Sequence, residues 1–278
     1  MSSQARNGIL AARRAQNLKP CRRRCGLASL SCAAWLLAAA PALALDPFEI
    51  QVYDGTANPV GAVGVELHAN HVFSGLREAE APELPPNGQT HLTLEPSYGL
   101  FNFLELGGYL QTALRPSGQF DYAGVKLRAK FVLPTPPLHL RLGVNVELSL
   151  LPRAYEPERW GTEIRPIVAF ENERWLMAVN PILDFSYTGP LASKGPALEP
   201  AAMLKLKLEP LLAAGVEYYA ALGPLGAFAP VSAQQHYLFE AVDLLALSHV
   251  ELNVGLGEGL TAASNDWVGK MILGYVWE

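Results

Sequence analysis

Cysteine is absent from the body of this chain. The only three, Cys21, Cys25 and Cys32, fall within residues 1–44. That excludes a disulfide framework and thiol chemistry for everything downstream. Ser29-Leu30-Ser31 ahead of Cys32 fits a lipidation motif poorly. Also missing after residue 44 is any apolar run near the roughly 20 residues that a membrane-spanning helix needs. Positive charge is scarce. Seven of the 21 Lys and Arg lie in residues 1–24, which hold no acid, so 14 bases remain against 26 acids, a net charge of −12. A surface of that sign argues against nucleic acid as a partner, because phosphate binding needs a basic one.

The N-terminus is a targeting segment. Arg6, Arg13, Arg14, Lys19, Arg22, Arg23 and Arg24 precede an apolar stretch from Gly26 to Ala40, and Ala42-Leu43-Ala44 puts small residues where a signal peptidase cuts. A charged region, a short apolar core and an A-x-A site together predict a cleavable signal peptide at 1–44. Residues 45–278 are then a single exported domain.

The most informative stretch is Leu138 to Leu150. Every even position is Leu or Val and every odd one is polar or Gly. Side chains alternate faces along a strand, so this reads as a β-strand with one oily and one wet face. It exceeds the roughly 9–11 tilted residues that cross a bilayer. Similar segments are predicted near 61–73, 89–98, 104–115, 119–133, 160–171, 175–187, 198–208, 211–222, 231–243, 249–260 and 267–277, with a short strand at Glu49–Tyr53 or a periplasmic lead-in over 46–58. The connectors sort by length. Those at 74–88, 151–159, 188–197, 223–230 and 261–266 are long; those at 99–103, 134–137, 172–174, 209–210 and 244–248 are short, and 116–118 breaks the pattern. Transmembrane barrels have short periplasmic turns and longer outer loops. The predicted fold is all-β: a closed antiparallel transmembrane β-barrel of about 12 strands.

In lipid the charged face must look inward, since a lone Arg or Lys on the lipid side costs about 2–4 kcal/mol at the midplane. The expected pore-lining residues are Glu66, His68, His91, Glu95, Glu105, Lys126, Arg128, Arg141, Glu147, Glu163, Arg165, Glu217, Glu251 and Lys270, with Lys205, Lys207 and Glu240 also counted as inward. Trp160, Trp175, Trp267, Tyr275 and Trp277 are expected as interface aromatics near the strand ends, where amphipathic rings sit half wet. The last strand alternates Trp267, Gly269, Met271, Leu273, Tyr275 and Trp277. That resembles the assembly signal of outer-membrane barrels, although Glu278 follows the final aromatic. One feature opposes the reading. Pro96, Pro166, Pro181 and Pro200 fall inside predicted strands, where a residue without N–H weakens the ladder.

No catalytic, metal or cofactor site is expected. In a strand, His68 and His71 point to opposite faces, which defeats a metal pair; a cross-strand cluster of His68, His91 and Glu95 is the conceivable grouping. Ser97, Ser149 and Ser186 lack a local nucleophile signature. Gly255-x-Gly257-x-Gly259 sits in a strand with no following helix, so it is not a nucleotide loop. An enzyme is therefore not expected.

The chain resembles uncharacterised outer-membrane barrel families of Gram-negative bacteria, closest to transporters linked to meta-cleavage phenol degradation. The residues that carry this are Glu49-Ile50-Gln51-Val52-Tyr53, Val65-Glu66-Leu67-His68, His91-Leu92-Thr93-Leu94-Glu95-Pro96-Ser97-Tyr98 and the closing Met271–Trp277 strand. The resemblance implies a barrel and passage of small organic molecules. The expected function is a narrow outer-membrane channel or transporter with a charged lumen, meeting membrane lipid, the barrel-assembly machinery and a small-molecule solute. The alternatives are a lipid or peptide hydrolase built on a barrel, and a structural or adhesive barrel acting through its outer loops.

Overall fold

The computed structural model describes residues 45–79, 81–135, 138–156, 159–208, 210–247 and 249–278. The expected signal peptide at 1–44 lies outside the described residues.

Among the described residues the wall is one thirteen-stranded sheet. Its strands are β1 (Val63–Ser74), β2 (Thr90–Phe101), β3 (Leu104–Leu114), β4 (Phe120–Val132), β5 (Leu140–Leu150), β6 (Trp160–Glu171), β7 (Trp175–Ser186), β8 (Ala197–Leu208), β9 (Leu212–Ala221), β10 (Gly223–Pro224), β11 (Gln235–Leu244), β12 (Val250–Gly259) and β13 (Trp267–Trp277). β10 is a two-residue clip on the start of β8, which leaves twelve long strands. Each pairs antiparallel with its sequence neighbours, β9 pairs with β11 across the excursion, and β13 returns to β1. The sheet closes on itself, so no backbone edge is left unpaired, which is the condition for a β-structure to stand in hydrocarbon.

The period-two pattern fixes the register. Leu252, Leu273, Leu67, Leu94, Leu110, Val125, Leu150 and Trp160 are successive cross-strand partners, forming an apolar row around much of the outer wall. A one-residue slip anywhere would turn the ionic face to lipid, so the row locks the ladder. The opposite parity is buried inside: His68, Glu95, Glu105, Lys126, Arg128, Asn145, Glu147, Arg165, Lys205 and Glu217. An oily closed wall around an ionic interior is a membrane-spanning structure, and it is of the outer-membrane kind. Among the described residues no helix is long and apolar enough to cross a membrane.

The prolines stand within strands without breaking the barrel. All four occupy outward positions. Pro181 faces Pro200 in register, and the β6–β7 ladder is interrupted between Ile164–Leu183 and Val168–Val179, the stretch that holds Pro166 and Pro181. The β2–β3 ladder skips in the same way between Leu94–Leu110 and Ser97–Gly107, around Pro96. Missing donors are thus concentrated at local gaps.

Three expectations change. β5 starts at Leu140 because Leu138 and His139 take positive φ angles of 51° and 63° in the preceding turn. β11 starts at Gln235, after a short 3-10 turn at Val231–Ala233. Glu240 faces outward and is exposed, because the inward positions of β11 are Tyr237, Phe239 and Ala241. The lumen is apolar along the middle of this strand, and Glu240 stands on the outer face between Leu238 and Val242.

Candidate functional site

Residues 45–62 form neither the expected strand at Glu49–Tyr53 nor a lead-in outside the barrel. They run through the lumen without joining a ladder. At one end the Leu45 N–H donates to Gln235 Oε1 at 2.9 Å, Asn70 Nδ2 donates to the Pro47 carbonyl at 2.9 Å, and Thr93 Oγ1 donates to the Phe48 carbonyl at 3.0 Å. Phe48 is buried edge-on against His91 and Tyr155. Lys270 Nζ and Arg165 Nη1 then donate to the carbonyls of Ile50 and Gln51. Halfway along, Asn180 grips one residue twice: it accepts from the Tyr53 N–H at 2.7 Å and donates to the Tyr53 carbonyl at 3.0 Å. The Tyr53 and Tyr109 hydroxyls meet at 2.7 Å. At the far end the Asn58 N–H donates to Glu105, and the Gly61 N–H donates to the Gly99 carbonyl before β1 begins. Gly99 has to be glycine here: a Cβ would lie 2.0 Å from the Pro59 carbonyl oxygen.

Charge organises this contact. The segment carries Asp46, Glu49 and Asp54 and no Lys, Arg or His. Each acid meets a wall base: Asp46 with Lys126 at 2.6 Å, Glu49 with Arg165 at 3.3 Å and Lys126 at 3.6 Å, and Asp54 with Arg141 at 2.8 Å. Ion pairs held away from bulk water are far less screened than surface ones. The end where Leu45 sits is bounded by connectors 75–89, 115–119, 151–159, 187–196, 222–234 and 260–266, against 102–103, 133–139, 172–174, 209–211 and 245–249 at the other. The longer set marks the outer face. The segment therefore runs from the outer mouth down to the periplasmic start of β1. At the outer mouth, burial and a hydrogen bond to Asp121 push the Tyr155 phenol up to about 12, so it stays a neutral donor that pins loop 151–159.

The wall around the segment has two halves. From β1 to β6 it is ionic. Arg128 bridges Glu95 and Glu105, Lys130 joins Glu105, and Lys126 joins Glu147. On the other side Ala178, Ile182, Ala201, Met203, Tyr219, Tyr237 and Phe239 form an apolar cluster that takes Ile50 and Val52 of the segment. Below it lies a charged group in which Lys205 and Lys270 share Glu217. Beside residues 51–56 a chamber of about 270 Å³ remains, lined by members of both halves.

His68, His91, Glu95, Glu105, Lys126, Arg128, Glu147, Arg165, Glu217 and Lys270 are buried inside; Glu66, Arg141 and Glu163 are half-buried inside; Glu251 is exposed to the chamber. His91 lies beside Phe48 and Gln89, apart from His68, which instead meets Glu66 and Glu95. Trp160 and Trp267 stand exposed at the outer ends of their strands, and Trp175, Tyr275 and Trp277 at the periplasmic ends. Ser97 accepts from Asn58, and among the described residues Ser97, Ser149 and Ser186 make no hydrogen bond to a histidine. The sequence reading missed Asn180, Tyr109 and the segment's own acids. The surviving signal was a stretch with three acids and no base ahead of a wall rich in bases.

The fold and interior define a class, the outer-membrane β-barrel with a filled lumen. No protein-family model and no curated protein matches the sequence. Solved structures match the fold. The COG4313 outer membrane channel from Pseudomonas putida F1 is 14% identical, with 82% of this chain covered, 100% of that chain, and a TM-score of 0.56. The KdgM porin is 8% identical, with 77% and 99% covered and a TM-score of 0.50.

Proposed function

We propose that the protein is a narrow outer-membrane channel or transporter for small molecules, closed in this conformation by its own segment 45–62. The observation that carries this is the way the segment is held. It fills the lumen through side-chain hydrogen bonds, ion pairs and buried rings, and it shares no β-ladder with the wall. An element held that way can leave while the barrel stays intact. A wall built only for anchorage or adhesion has no need of a separable filling. The neighbours of similar fold are a channel and a porin, which supports the same reading.

The two-sided interior suits small organic solutes. Opposed charges on one side orient polar groups, and the apolar side, once free of Ile50 and Val52, offers a surface for the carbon skeleton. That solute class is also what the sequence resemblance to transporters linked to phenol degradation implies. The outer wall meets membrane lipid, and the closing strand with Tyr275 and Trp277 is the part that the assembly machinery would read.

The test is conductance in planar bilayers. The intact chain is expected to stay closed for most of the recording, and deletion of residues 46–57 to give steady conductance. A deletion variant that still shows the heat-dependent gel mobility of a folded barrel, yet passes no current, would overturn the proposal.

A further inference from the structure

Outside the filling segment, ionisable side chains converge in one row of the wall. Glu251, Gly274, Glu66 and Glu95 are successive cross-strand partners on β12, β13, β1 and β2, and their side-chain positions face inward. Three carboxylates and one missing side chain thus share a row. Like charges directly opposite across a ladder are destabilising on their own. The glycine makes the convergence possible. A Cβ at Gly274 would lie 2.9 Å from Glu66 Cγ and 3.2 Å from Glu251 Cβ, so both side chains lean over it.

One step along β1, His68 points Nε2 into this group. It lies 3.1 Å from Glu95 Oε2 and 3.5 Å from Glu66 Oε2, and the three ligand atoms are all within 4.8 Å of one another. Zinc–nitrogen and zinc–oxygen bonds of about 2.0–2.2 Å place tetrahedral ligands about 3.3 Å apart. The two distances from His68 Nε2, 3.1 and 3.5 Å, bracket that value. The other oxygen of Glu95 is held by Arg128 at 2.5 Å, which fixes the carboxylate and leaves Oε2 directed at the cluster.

The local charge count points the same way. Glu66, Glu95, Glu105 and Glu251 face Arg128 and Lys130, and among the described residues no lysine or arginine pairs with Glu66 or Glu251. Four carboxylates against these two bases leave −2, which one divalent cation cancels once it displaces the proton that His68 Nε2 shares with Glu66 and Glu95. Glu66, Glu95 and Glu251 all border the 270 Å³ chamber, so an ion can reach them from the lumen.

We propose that His68, Glu66 and Glu95, with Glu251 as a further ligand, form a binding site for a divalent transition-metal ion on the chamber wall. One histidine with carboxylates is a donor set for zinc and its first-row neighbours rather than for calcium or magnesium, which prefer oxygen alone. A bound ion ties β1 to β2 and, through Glu251, to β12.

The test uses the full chain, purified folded, stripped with chelator and titrated with zinc chloride by calorimetry at neutral pH, with cobalt absorption as a second readout. One equivalent is expected to bind. Glu66→Gln and Glu251→Gln are expected to weaken binding by about tenfold or more, and His68→Ala to abolish it. His71→Ala, on the opposite face of β1 and hydrogen-bonded to Thr90, is expected to change nothing. Heat-dependent gel mobility reports that each variant is folded. No saturable zinc binding by the intact chain would overturn the proposal and leave a histidine–carboxylate bridge only. Binding that survives both Glu66→Gln and His68→Ala would overturn it equally.

Discussion

Replacing Asn180 with alanine removes a two-point hold on the luminal segment. The side chain is 0% exposed and makes two hydrogen bonds to one residue, accepting from the Tyr53 N–H and donating to its carbonyl. The wall keeps its ladder, because the Asn180 backbone still pairs with Ala201. What is lost is the docking of Tyr53. Each buried backbone group left without a partner costs about 1–3 kcal/mol. Tyr53 borders the chamber, so water can reach part of what Asn180 gives up, and the combined effect falls near about 2 kcal/mol. At about 1.4 kcal/mol per tenfold, the undocked population rises roughly 30-fold. Single-channel recording reads this directly as the fraction of time open. Thermal unfolding of the same variant, followed by gel mobility, is expected to move by much less. If the open fraction changes less than about twofold while the melting temperature falls, Asn180 braces the wall and the docking argument fails.

Lys126→Met strips the cation shared by Asp46, Glu49 and Glu147. Breaking a buried pair from one side costs about 3–5 kcal/mol, so this variant is expected to open more than Asn180→Ala. A single thiol at Phe48→Cys in that background, in a chain otherwise free of cysteine beyond residue 32, should react faster with an impermeant reagent than in the parent. Leu127 is 68% exposed on the outer wall, and Leu127→Arg is expected to lower folding stability in lipid vesicles by about 2–4 kcal/mol, measured by denaturant titration. Glu240→Leu is expected to do the reverse, with a gain on the order of 1 kcal/mol in the same titration. A loss there would mean that Glu240 serves the interior after all.

The barrel was legible because its signal is redundant. Twelve alternating segments, two classes of connector and a girdle of aromatics all answer to one constraint, that hydrocarbon tolerates no free backbone group and little charge. Each predicted strand shares most of its residues with an observed one, and the errors sit where alternation continues past the ladder. Leu138 and His139 keep the pattern of β5 but lie in a turn. Val231–Ala233 joins the pattern of β11 but forms a 3-10 turn after Pro230. The ionic half of the interior was legible for the same reason, since Lys126, Arg128, Glu147 and Arg165 have nowhere else to point.

What alternation cannot report is whether the inside of a barrel is wet. Glu240 shows the consequence. On β11 the inward residues Tyr237 and Phe239 are apolar because they pack in one cluster with Ile50 and Val52, so both faces of the strand are largely apolar and Glu240 stands on the lipid side between Leu238 and Val242. The same cause hid the segment itself. Leu45 to Ala62 carries no period, because each residue answers to a different strand of the surrounding wall: Asn70 on β1, Thr93 on β2, Lys126 on β4, Arg165 on β6, Asn180 on β7. Such a segment is specified by the wall rather than by itself. Its acids and the wall's bases are complementary only after the barrel has closed, so the fit belongs to tertiary structure. That dependence is also what makes the filling separable: the wall's register is set by the apolar row outside, and none of that row touches Asp46, Glu49 or Asp54.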